Sequence, residues 1–132
     1  MCKRLALLTI LLILVAPAKT VSAHHSFTAE FDGNREVSFK GTLTKVDWIN
    51  PHVYLYFDVK DDTGKITTWS IETLPTGLLH RMGVTREIFV EGQTLQVEAY
   101  AAKDPTKNLG QLKSVTLPDG HKFVMFIYNP QK

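Results

Sequence analysis

The sequence predicts an all-β protein with one short helix, built as a five-stranded barrel, and three observations carry that reading. The run Val53-Tyr-Leu-Tyr-Phe-Asp-Val59 alternates cleanly. Val53, Leu55, Phe57 and Val59 share one face, and His52, Tyr54, Tyr56 and Asp58 the other, because strand side chains alternate with period 2. Other short apolar runs are separated by turn signals such as Asp61-Asp-Thr-Gly64 and Asp119-Gly120, the punctuation of hairpins. Helical spacing stands out at a single place, Leu78, Leu79 and Met82 followed by Gly83, which reads as a short helix with a glycine at its C-terminal end.

Residues 1–23 read as a secretory signal peptide. Lys3 and Arg4 form a basic start, Leu5 to Val15 is an apolar stretch of 11 residues, and small residues follow. That stretch is too short to span a bilayer as a helix. Cleavage sites of the small-x-small type occur after Ala23 and after Ala18. The first is favoured, since Pro17 can end the apolar helix ahead of the cut and Lys19 is a poor first mature residue. The expected product, residues 24–132, is one OB-like β-barrel domain with a short N-terminal arm, located in the periplasm or secreted.

Losing Lys3, Arg4 and Lys19 changes the balance from 15 basic against 13 acidic residues to 12 against 13, a formal net charge of −1. The basic character of the full chain therefore belongs to the signal, and a nucleic-acid partner loses its electrostatic basis. No membrane attachment is expected after cleavage. The one cysteine, Cys2, precedes the apolar stretch and leaves with it, so neither a lipid anchor nor a disulfide is expected.

The mature chain opens with His24-His-Ser-Phe27, then a polar segment with an Asp32-Gly33 turn signal. Val37, Phe39, Leu43, Val46 and Trp48 make the first strand, and Gly41 with the phase slip between Leu43 and Val46 predicts a bulge or bend. Pro51 marks the corner before the central strand. A third strand runs from Lys65 to Thr73, with Thr67, Trp69 and Ile71 on one side. After the helix, Thr85 is placed to cap a further turn through Ile88 and Phe89. Leu95, Val97 and Ala99 set the inner face of a fourth strand, and a polar loop from Lys103 to Gly110 leads to a fifth around Leu112–Leu117. Phe123 to Tyr128 forms a last apolar strand or edge. Three strands, a helix and two more strands are the element order of an OB-fold, a partly open Greek-key barrel.

His24 carries the candidate chemistry. As a first residue it offers a free α-amine, with a pKa of roughly 7.7–8.0, beside its own imidazole. With a second imidazole, from His25 or His52, it would form a nitrogen set suited to Cu(II). Against this stands a solvated tail for His24 and His25, and a corner histidine hydrogen-bonded to backbone for His52. Glu72 and Asn50 are candidate supports around the metal. For Glu72 an ion pair with Arg81 is preferred over orienting His52. His80 and His121 read as a solvated helix residue and a turn residue, and Trp48 and Trp69 as core.

No nucleophile elbow, phosphate-cradling loop or Cys/His zinc spacing occurs, so catalysis is the minority reading. The expected function is that of an exported copper-binding protein. The alternative is a metal-free binding module in which Tyr54 and Tyr56 receive a small ligand, a glycan or a partner protein.

His24-His-Ser-Phe27, Gly41-Thr-Leu-Thr-Lys-Val-Asp-Trp48, Asn50-Pro-His52, Trp69-Ser-Ile-Glu72, Leu79-His-Arg-Met-Gly83 and Glu91-Gly92 together resemble the blocks of the small exported bacterial proteins of domain-of-unknown-function family 6152. The resemblance spans the expected mature chain and implies export and a compact domain, with no settled activity. The loop Lys103-Asp-Pro-Thr-Lys-Asn108 departs from it, being longer than the compact arginine-asparagine-glycine connection of such proteins.

Overall fold

The computed structural model describes residues 26–131; the signal-peptide and cleavage readings lie outside them. A four-residue helix, α1 (Phe27–Glu30), leads into β1 (Phe31–Asp47), β2 (Tyr54–Lys60) and β3 (Ile66–Glu72). Then follow α2 (Thr76–Arg81), a 3-10 turn (Arg86–Ile88), β4 (Thr94–Ala102), β5 (Leu109–Thr116) and β6 (Lys122–Val124).

Antiparallel pairing runs β3-β2-β1-β4-β5-β6, and β3 also pairs with β5 in parallel. The last pairing closes the first five strands into a barrel, with α2 between the third and fourth. This is the expected OB-type topology. Closure is narrow, covering only Ser70↔Leu109, Ile71↔Gly110 and Glu72↔Gln111, so the barrel is partly open.

A single long β1 serves two neighbours, its first half pairing with β4 and its second with β2, and Thr42 belongs to both ladders. Gly41 sits at this handover. A Cβ there would approach Cβ of Phe57 to 3.0 Å, so the missing side chain gives Phe57 its space. The predicted slip is a register shift between Leu43 and Lys45, which restores Val46 to the interior.

The central strand has the expected phase. Val53, Leu55 and Phe57 are fully buried, and their cross-strand partners include Ile71 and the half-buried Trp69. Leu95, Val97 and Ala99 face them from β4, and Leu79, Val84 and Phe89 plug the end of the barrel.

Four local expectations are corrected. The first strand begins at Phe31, and Asp32-Gly33 makes no turn between elements. Phe31 pairs with Ala102 and Glu36 with Tyr100, so five steps along β1 answer two along β4, and the Asp-Gly pair lies in a wide bulge. The apolar stripe of α2 is narrower than its spacing implies: Leu79 is buried, whereas Leu78 and Met82 are exposed, because a helix under two turns long presents one position to the core. Thr85 makes no side-chain cap to the 3-10 turn. The fifth strand starts three residues before Leu112, at Leu109, where the parallel pairing to β3 adds ladder partners that local pattern does not reveal.

Candidate functional site

His52 lies in the connection from β1 to β2, a corner held at both ends. Behind it, Asn50 Oδ1 accepts hydrogen bonds from the Thr76 backbone N–H (3.2 Å) and hydroxyl (2.9 Å). Asn50 thus ties the corner to the first turn of α2. Ahead of it, Val53 N–H donates to Leu74 O (3.3 Å) and Thr73 N–H to Val53 O (2.8 Å), extending the β2–β3 pairing beyond the strand ends.

This extension sets the histidine against two oxygens. His52 Nδ1 is 3.0 Å from Thr73 O and 3.2 Å from Glu72 Oε1. A carbonyl and a carboxylate both accept, so the proton sits on Nδ1 and the lone pair of neutral imidazole is left on Nε2. Glu72, largely buried, is held from its other oxygen by Tyr54, its direct cross-strand partner, whose hydroxyl donates to Oε2 at 2.7 Å. Burial, and then the hydrogen bond to Glu72, raise the Tyr54 phenol above its ordinary value, so Tyr54 remains a donor. The preferred Glu72–Arg81 ion pair does not form among the described residues. Register decides this: Glu72 stands opposite Tyr54 at the His52 corner, whereas Arg81 ends α2 on an exposed turn.

His52 and Glu72 open onto a cleft of about 130 Å³. Thr73 and Gln111 complete its polar wall, and Phe27, Phe31 and Phe126 form an apolar one. Thr73 is fully buried, and its hydroxyl oxygen has no hydrogen-bond partner among the described residues. Neither Thr73 nor Gln111 carries a sequence signal. Gln111 arrives through the parallel register that sets it beside Glu72.

The apolar wall belongs to a second cluster outside the barrel, in which Phe27 packs with Phe31, Tyr100, Phe126 and Tyr128. His24 and His25 lie outside the described residues, three and two positions before Phe27. His80 is exposed with its ring edge-on to Trp48 at 5.9 Å, and His121 is exposed against Phe123 at 4.4 Å. Neither adjoins His52.

The tyrosines expected to receive a ligand each make an intramolecular contact. Tyr54 is engaged by Glu72. Tyr56 has Lys45 Nζ over its ring at 5.1 Å, and Lys45 is paired with Asp47 at 2.9 Å. Among the described residues, no three His, Cys, Asp or Glu side chains converge as a metal-holding group, and no helix is long and apolar enough to cross a membrane.

A comparison with curated proteins finds no match. Among solved structures, the chain is similar to the mitochondrial single-stranded DNA binding protein Rim1 from S. cerevisiae, with 16% identity over 64% of this chain and 93% of that one and a TM-score of 0.45. The strand pairing described above, and not this likeness, defines the fold. A family model matches residues 11–113, from the segment before the described residues to the middle of β5, and the chain belongs to that family, a family of unknown function (DUF6152).

Proposed function

We propose that the protein is exported to the periplasm or beyond and binds copper through the α-amine and imidazole of His24 together with Nε2 of His52, with His25 as the alternative third donor. One observation carries this reading. His52 is held through Nδ1 by Glu72 and Thr73, leaving Nε2 for a ligand, and it lines the same cleft as Phe27. At up to about 3.6 Å per residue, the three steps from Phe27 keep His24 within roughly 11 Å of that wall. A carboxylate behind a histidine fixes its tautomer and raises its basicity as a ligand. Nitrogen donors in a planar set suit Cu(II).

A metal-free receptor for a small ligand, glycan or partner protein is favoured by a different observation, the buried Thr73 hydroxyl with no partner among the described residues, in the lining of an aromatic-walled cleft. Copper titration of the processed chain separates the two. Adding one residue ahead of His24 ties its amine into a peptide bond and is expected to weaken Cu(II) binding about tenfold or more, as is His52→Ala, because each removes a donor linked to the others at high effective concentration. Binding is also expected to weaken as pH falls, protons competing first for the amine and then for imidazoles with pKa near 6.5. Equal affinities for native and extended chains, or a mature N-terminus found at Lys19, would remove the copper reading and leave the receptor.

A further inference from the structure

The cleft beside His52 is small and has two unlike walls. Its volume of about 130 Å³ is close to the roughly 150 Å³ of an apolar cavity that admits one benzene ring, and well below the roughly 300–1,000 Å³ of drug-sized sites. Phe27, Phe31 and Phe126 form the apolar wall, the Phe27 ring centroid lying 5.7 Å from that of Phe31 and 5.0 Å from that of Phe126. His52, Glu72 and Thr73 stand on the polar one. Among the described residues, neither lysine nor arginine lines the cleft.

Two groups of the polar wall have hydrogen-bonding capacity to spare. Nδ1 of His52 is taken up by Thr73 O at 3.0 Å and Glu72 Oε1 at 3.2 Å, so neutral His52 keeps an acceptor at Nε2. Glu72 has its other oxygen bonded by the Tyr54 hydroxyl at 2.7 Å. The Thr73 side chain is fully buried, and its hydroxyl has no partner among the described residues. The Thr73 backbone is engaged on both sides, its N–H donating to Val53 O (2.8 Å) and its carbonyl accepting from His52, so the orphaned group is the side chain alone. A buried hydroxyl without a partner weakens the folded state, and a guest in the cleft that accepts its proton recovers that loss.

The spare groups define the guest, which has to donate to Nε2 and accept from the Thr73 hydroxyl. A carboxylate has no proton for Nε2 and meets the charge of Glu72. An ammonium has no lone pair for the Thr73 proton, and it gives up its hydration against rings and a carboxylate whose two oxygens are already bonded. A hydroxyl does both. The phenylalanine wall favours an aromatic body, which packs on such rings edge-to-face or offset. We infer that the cleft between His52 and Thr73 binds a small phenol, whose O–H donates to Nε2 of His52 and accepts from the Thr73 hydroxyl while its ring lies against Phe27, Phe31 and Phe126. The inference rests on the receptor reading above and names its ligand class; it uses no metal and no residue before Phe27.

Phenol, toluene and benzylamine, each titrated into the purified chain and followed by the NMR signals of the His52 ring and the Thr73 backbone, test it. Phenol is expected to shift both sets of signals saturably. Toluene, a ring without the hydroxyl, is expected to bind at least about tenfold more weakly, because it leaves both polar groups unpaired. Equal binding of toluene overturns the inference, as does phenol without effect at His52 and Thr73. Shifts at these residues with benzylamine and not with phenol overturn the phenol class while the receptor reading stands. If none of the three shifts them, small aromatic ligands leave the receptor reading as well.

Thr73→Val separates a hydroxyl that binds a ligand from one that is merely unpaired. The variant is expected to melt at the parent's temperature or above it, since the unpaired hydroxyl is gone, and to weaken phenol binding about fivefold or more. Thr73→Ser, which keeps a hydroxyl, is expected to bind phenol within about twofold of the parent. His52→Ala is expected to weaken it about tenfold, and a melt of each variant verifies that the barrel is folded. Phenol binding undiminished in Thr73→Val overturns the inference, whatever the variant's stability.

Discussion

The protein has two aromatic-rich clusters, and they differ in what they hold together. The barrel cluster gathers Phe57, Leu55, Ile71, Leu95, Val97 and Phe89, all fully buried, from strands on every side of the barrel and the segment after α2. The second cluster lies outside the barrel and joins the two ends of the described chain: Phe27 before β1, and Phe126 and Tyr128 after β6. Several of its rings are only half-buried, so it gains less from leaving water. Aromatic pairing adds about 0.5–1.5 kcal/mol per well-placed pair and favours particular ring orientations. Removing a barrel side chain should therefore test whether the protein folds, and removing one from the outer cluster should test whether the two ends of the described chain stay joined.

The largest expected effect is inside the barrel. Phe57→Ala deletes a fully buried ring and should cost about 3–5 kcal/mol, a large part of the roughly 5–15 kcal/mol that keeps a domain folded. Tyr56→Ala, on the opposite face, loses its contact with Lys45 and should be milder in thermal melts. The reverse order would mean that the two faces of β2 have been exchanged.

An intermediate effect is expected from Gly33→Ala. Its φ is not in the left-handed region, so the cost comes from displacing Tyr128 and not from backbone strain. A loss of about 1–3 kcal/mol, with a changed near-ultraviolet tyrosine signal and unchanged tryptophan fluorescence from Trp48 and Trp69, would sharpen the division between clusters. A matching change in tryptophan fluorescence would break it.

The smallest effect lies at a charged group on β4 that belongs to neither cluster. Glu98 is held below its ordinary carboxylate pKa by hydrogen bonds from Lys122, at 2.8 Å, and from the Ser114 hydroxyl. A folded-state pKa below the unfolded one adds stability above the unfolded value, and that stability is lost as pH falls through the folded one. Lys122→Met should thus lower the melting temperature slightly near neutral pH and flatten its fall on acidification. An unchanged acid limb would show that Glu98 is not a contributor.

Local chemistry accounts for what was legible in the residues alone. Period-2 alternation set the inward face of β2, and the Asp-Asp-Thr-Gly turn closed the β2–β3 hairpin with Gly64 at φ +86°. Gly83, at φ +76°, ended α2 where expected. The bulge after Leu43 was readable because a hydrophobic phase must slip when one strand gains a residue. The candidate site was legible only in part: His52 and Glu72 could be named, but not their partnership.

Alternation, turn chemistry and element order by themselves determined the barrel class, the phase of its central strand and the place of its helix, since each depends on residues a few positions apart. Only the tertiary structure decided that Glu72 holds His52 and not Arg81, that Gln111 joins their cleft, and that Phe27 meets Phe126 and Tyr128. Those outcomes follow from cross-strand register, from the narrow parallel closure of β3 on β5, and from the space left by Gly33 for a ring. Such contacts join residues far apart in the chain, and their geometry exists only once the barrel has closed.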